Sequence, residues 1–102
     1  MPLLFPYPSN AKDYQTTDFE SVVYVFSIAT CGAMEGLVSM KEAKQIAVMQ
    51  LNEKYGIPNW RIENILKLNS FRQAMNYLVV DINGGCKSFL KEAGIDLSFY
   101  RK

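Results

Sequence analysis

The chain carries no histidine. That omission removes the commonest general base, the usual imidazole ligand of zinc, and every Ser-His or Cys-His dyad. Ten carboxylates remain: Asp13, Asp18, Glu20, Glu35, Glu42, Glu53, Glu63, Asp81, Glu92 and Asp96. None is spaced as DxD or ExxE, so a paired-carboxylate site of the glycosidase or metal-phosphoesterase kind would have to be gathered from distant positions by the fold. The glycine-rich phosphate cradles GxxxxGK[ST] and GxGxxG are absent, as is a GxSxG nucleophile elbow. The expectation is a chain with no catalytic residues, no metal and no cofactor.

Two cysteines, Cys31 and Cys86, stand far apart and match no metal-binding spacing. A tetrahedral zinc site needs about four ligands, which two thiols cannot supply. Disulfide scaffolds normally pack more cysteines into a shorter chain. Two reduced, half-buried thiols, neither needed for function, are therefore expected, with a single disulfide as the alternative.

The basic residues offer one further chemistry. A helix over 40–55, the turn Tyr55-Gly56-Ile57-Pro58-Asn59 and a helix over 60–68 resemble a helix-turn-helix unit. Asn59, Trp60, Arg61, Asn64 and Lys67 would then face a major groove, with Arg72 and Lys87 on phosphates. Residues after position 60 hold seven Lys and Arg against four acids, a net +3, whereas the first sixty hold four against six, a net −2. Three features oppose duplex reading. Asn52 stands four before the turn glycine, where such units usually have a small residue. The would-be reading helix holds Trp60, Ile62, Ile65, Leu66 and Leu68, an apolar set that calls for burial. The basic groups are spread, not clustered. DNA binding is the second choice, and a plain αα-corner the first.

These residues need elements to position them. The chain has 102 residues, 49% of them hydrophobic and 21% charged, with a net charge of +1. That fits one ordinary globular domain and gives no general support for binding polyanions. The longest uncharged apolar stretch, Ser21 to Met34, is 14 residues, short of the roughly 18 of a membrane span. The apolar start, with Pro2, Pro6 and Pro8, lacks the basic end and unbroken helix of a signal peptide. A cytoplasmic location, in a cell or a host cell, is the expectation.

Three prolines in eight residues make 1–16 an extended arm, joined to a helical domain over 17–102. Thr17 and Glu20 have capping-box spacing ahead of Phe19 to Cys31. Phe19, Val22, Val23, Phe26 and Thr30 take one helical face and Tyr24, Val25 and Ile28 the other, so this helix should be central and covered on both sides. Its β-branched and aromatic content also suits a strand. Gly32 and Gly36 should loosen the chain after it.

Ser39 and Glu42 form a second capping box for a helix striped with Met40, Ala43, Ala47, Val48, Leu51 and Tyr55, stopped by Gly56 and Pro58. Asn59 is the preferred cap of the next short, well-buried helix. Ser70 caps a further one with Phe71, Ala74, Met75, Leu78 and Ile82 inward. Asn83-Gly84-Gly85 ends it, and Cys86 to Ala93 is the last helix. The predicted fold is all-α: a compact bundle of four or five helices with an extended Pro-rich N-terminal arm. The alternative is α+β, with strands near 22–28 and 77–82.

Apolar residues left over by this bundle point to partners. Leu3, Leu4, Phe5 and Tyr7 in the arm, Phe99 and Tyr100 in the tail, and the reverse-face residues Ile46, Met49, Tyr77 and Val80 are the expected partner-binding set. Aromatic and large apolar residues of this kind dominate protein–protein hot spots. The chain is expected to be a noncatalytic protein-binding module: an assembly subunit, adaptor or inhibitor of a larger protein, able to form homo-oligomers. Small arm-bearing helical proteins of this type fit phages and mobile elements by analogy of architecture. The alternative function is a small helix-turn-helix regulator using Asn59, Arg61, Asn64, Lys67 and Arg72.

Overall fold

A computed structural model describes residues 13–95. Helix α1 (Asp13–Met34) is followed by α2 (Met40–Tyr55), α3 (Asn59–Leu66) and α4 (Asn69–Asn76). A π-helical segment (Tyr77–Ile82) then leads to α5 (Cys86–Glu92). No strand occurs among the described residues, so the all-α reading holds. The α+β alternative fails because 22–28 and 77–82 are both helical.

Helix α1 is the axis of the bundle and packs against every other element. No residue from Asp18 to Ala33 is exposed, and Val22, Val23 and Cys31 are essentially shut off from solvent. Being apolar all round, the segment needs neighbours on every side. A ring of helices supplies them while α1 satisfies its own backbone, and so packing overrides the β propensity of its Val-Val-Tyr-Val-Phe run. The helix begins at Asp13, four residues before Thr17. Thr17 therefore lies inside the helix instead of capping it, and positions 13–16, expected in the arm, are helical. Gly32 is also helical, because a single glycine costs only about 1 kcal/mol and the surrounding contacts outweigh it.

Helix α2 follows its sequence signals closely. Ser39 accepts from the Glu42 backbone N–H at 3.1 Å while the Ser39 N–H donates to Glu42 Oε1 at 3.1 Å, the reciprocal capping box. Gly56 ends the helix at φ 67°, where only glycine is comfortable. Ala43, Ala47 and Leu51 form the buried face, but Met40 and Tyr55 at the two ends of the expected stripe are exposed.

Helix α3 begins at Asn59 itself, with Pro58 in the cap position and no side-chain cap. Only Ile62 and Ile65 of its crowded apolar set are buried. Trp60 is 64% exposed and Leu68 is also exposed, correcting the expectation of a well-buried helix. Eight residues make just over two turns, one core-facing stripe cannot accommodate all four large side chains of the helix, and Leu68 lies beyond its end.

Helix α4 starts at Asn69, one residue before the expected Ser70 cap, and its ladder widens at Tyr77. In the π segment the bonding shifts to i→i+5. The adjacent Leu78 and Val79 both turn inward, and Ile82, expected inside by the α period, is exposed. Asn83 Nδ2 donates to Leu78 O at 2.8 Å and the Gly85 N–H to Val79 O at 2.8 Å, closing the wide turn. Phe26 meets Phe71 edge-on at 6.1 Å and Tyr24 meets Phe89 at 5.9 Å, tying α1 to α4 and α5. Such pairs add about 0.5–1.5 kcal/mol beyond burial.

The expectation of two reduced thiols is overturned. Cys31 and Cys86 are joined in a disulfide, with Cα atoms 5.1 Å apart. The bond fastens α1 to the first residue of α5, a contact between positions 55 apart that no local spacing reveals.

Candidate functional site

The predicted partner-binding residues divide by position. Leu3, Leu4, Phe5, Tyr7, Phe99 and Tyr100 lie outside the described residues. Ile46, Met49, Tyr77 and Val80 are all exposed. Ile46 and Met49 are three residues apart on α2, away from its buried Ala43, Ala47 and Leu51, and residues at that spacing neighbour each other on a helix surface. Tyr77 and Val80 are exposed on the π segment. Met34, 69% exposed, was missed, and Trp60 was named only for the groove-facing set; each sits at a helix end, where periodicity does not decide which way a side chain faces.

The αα-corner is present and well braced. Asn52, the residue that departs from the helix-turn-helix pattern, donates from Nδ2 to Ile57 O at 2.7 Å and so holds the turn. Lys44 Nζ reaches Glu63 Oε2 at 3.7 Å between two exposed side chains, a pair worth little to stability. Asn59, Asn64, Lys67 and Arg72 are exposed. Arg61 is not available to a groove, because its Nε donates to Asp18 Oδ2 at 2.6 Å with both side chains about three-quarters buried. The pair links α3 to α1.

A cavity of about 670 Å³ opens on the other side of α1. From α1 it is lined by Ser27, Thr30, Cys31 and Met34, a stripe at i, i+3, i+4 and i+7. From α4 come Arg72, Gln73, Met75 and Asn76, and beyond them Val79 and Val80 of the π segment. Gly85 and Cys86 complete the wall, so the disulfide forms part of it. Ser27 is 0% exposed, and its hydroxyl has no hydrogen-bond partner. From the sequence Thr30 stands out only as a face residue and Ser27 not at all; the available signal was the three-residue spacing of their hydroxyls within the mostly apolar run 22–31.

Among the described residues no group of three or more His, Cys, Asp or Glu side chains is placed to hold a metal ion. No helix among them is long and apolar enough to cross a membrane. Comparison with protein-family models, with curated proteins and with solved structures gives no match.

Proposed function

We propose that the chain is a noncatalytic protein-binding module that works by presenting apolar surface to another protein. The observation that carries this reading is the exposure of Ile46 and Met49 side by side on the outer face of α2. Large apolar side chains left in water at helix-neighbour spacing lose hydration cost when a partner covers them, at about 25 cal/mol per Å². Tyr77 and Val80 on the π segment add a second such pair. A homo-oligomer is one form the partner can take. A role as a DNA-binding regulator is weakened by the engagement of Arg61 with Asp18.

A cytoplasmic location and an intact Cys31–Cys86 bond pull in opposite directions, since a reducing cytosol keeps thiols reduced. Because Cys31 is buried, alkylation of freshly extracted protein under denaturing conditions, followed by intact mass, separates the two: a chain that takes up no alkyl groups carries the disulfide and comes from an oxidising compartment.

The function is tested by affinity capture from a lysate with and without nuclease. A protein partner retained after nuclease, and lost by Ile46→Asp with Met49→Asp, supports the module. Capture that disappears with nuclease supports the DNA-binding alternative.

A further inference from the structure

The apolar pair on α2 is bracketed by charge. Glu42, Ile46, Met49 and Glu53 follow one another at steps of four, three and four residues, which keeps them on one helix face. All four are exposed. The two carboxylates therefore stand about 16 Å apart along the axis, with the apolar pair between them. Glu42 Oε1 accepts the Ser39 N–H of the capping box, and the carboxylate keeps acceptor capacity on its second oxygen. Among the described residues neither Glu42 nor Glu53 has an ion-pair partner.

The lysines of α2 lie off this stripe. Lys44 reaches Glu63 on α3, and Lys41 falls one turn before Lys44. Lys54 continues the spacing of the buried Ala47 and Leu51. Gln45 and Gln50, the lateral neighbours of Met49 and Ile46, are uncharged. A second copy fits this face poorly. The spacing reads the same in both directions, so an antiparallel copy sets Glu42 against Glu53 and a parallel copy sets each glutamate against itself. Either way carboxylate meets carboxylate, which selects against self-pairing.

We propose that the Ile46–Met49 face receives a basic amphipathic helix of a different protein, whose apolar residues cover the pair while a Lys or Arg meets each of Glu42 and Glu53. Helices that dock on an apolar face are anchored at such i, i+3 and i+4 steps. Charges at the rim of the contact choose the partner more than they add affinity. This inference rests on the protein-binding reading and adds the chemistry of the partner to it.

Two synthetic helical peptides test it, titrated against the full chain by fluorescence anisotropy. One carries Lys, Leu, Leu and Lys at the spacing of the α2 stripe; the other has Glu in place of both Lys. The Lys peptide should bind at least about tenfold more tightly at low salt, and the difference should shrink as salt is raised. Glu42→Gln with Glu53→Gln should erase most of that preference. Glutamine at position 42 still completes the capping box, so the helix start is kept, and circular dichroism checks this. Equal binding of the two peptides, preference for the Glu peptide, binding of neither, or a preference that survives in the glutamine variant would each overturn the proposal. So would a dimer of the parent, seen in sedimentation, that the Ile46→Asp, Met49→Asp chain fails to form. Capture of a protein that is lost with Ile46→Asp and Met49→Asp, alongside equal binding of the two peptides, would leave the protein-binding reading standing and remove this one.

Discussion

The two sides of α1 are held by different means. On one side α2 and the turn to α3 carry their own instructions: the Ser39–Glu42 box, the left-handed Gly56 and the Asn52 amide on Ile57 O, all within a few residues of the backbone they fix. On the other side α4 has no side-chain cap, its ladder widens into a π segment, and α5 starts from Gly85 without a side-chain cap. There the binding comes from afar, through the Cys31–Cys86 bond and the Phe26–Phe71 and Tyr24–Phe89 edges. A helix with local caps keeps the register that its sequence period announces. A helix fixed by distant contacts takes the register those contacts favour, and the inward turn of Val79 with the outward turn of Ile82 follows.

The sharpest way to break this contrast is to remove the distant bond. Closing a loop between residues 55 apart is worth about 4 kcal/mol on chain-entropy grounds. The Cys31→Ser, Cys86→Ser chain should lose about 3–4 kcal/mol in urea unfolding relative to the oxidised parent. Amide exchange should then accelerate in α4, the π segment and α5 before it does in α2. Uniform acceleration in all helices would show that the two sides are not held separately.

Gly85 gives the next largest effect. Its φ of 129° and ψ of 174° belong to a region essentially reserved for glycine, while a Cβ there meets nothing within 4 Å. Gly85→Ala should therefore cost about 1–3 kcal/mol through backbone strain alone. A change below 0.5 kcal/mol would mean that the α5 start can relax.

On the capped side, Ser39→Ala should cost about 1 kcal/mol, read as a shift of the denaturation midpoint at unchanged slope. Its effect on exchange should be confined to the first turn of α2. A loss that spreads to α5 would contradict the division of labour between the two sides.

The same contrast sets what was legible in the sequence. The limits of α2, its caps and the stop at Asn83-Gly84-Gly85 follow from local chemistry, and they match. So does the central place of α1, since an apolar circumference can be satisfied only by enclosure. The disulfide was not legible, because pairing depends on where the fold brings positions 31 and 86. Nor was the π register, since the period of apolar residues in 71–82 fits an ordinary α-helix. The exposure of Ile46 and Met49 was visible as a second face, whereas Ser27 became notable only once its burial without a partner was seen.

The smallest expected effect on stability carries the most weight for function. Ile46→Asp with Met49→Asp alters two exposed positions, so the melting temperature should stay close to that of the parent, within the ±0.5 kcal/mol usual for surface changes. Side-by-side capture by the parent and this variant, after nuclease treatment, with bound proteins identified by mass, tests the central claim most directly. The account predicts a protein bound by the parent at defined stoichiometry and missing from the equally folded variant. The same protein on both, or none on either, would contradict it.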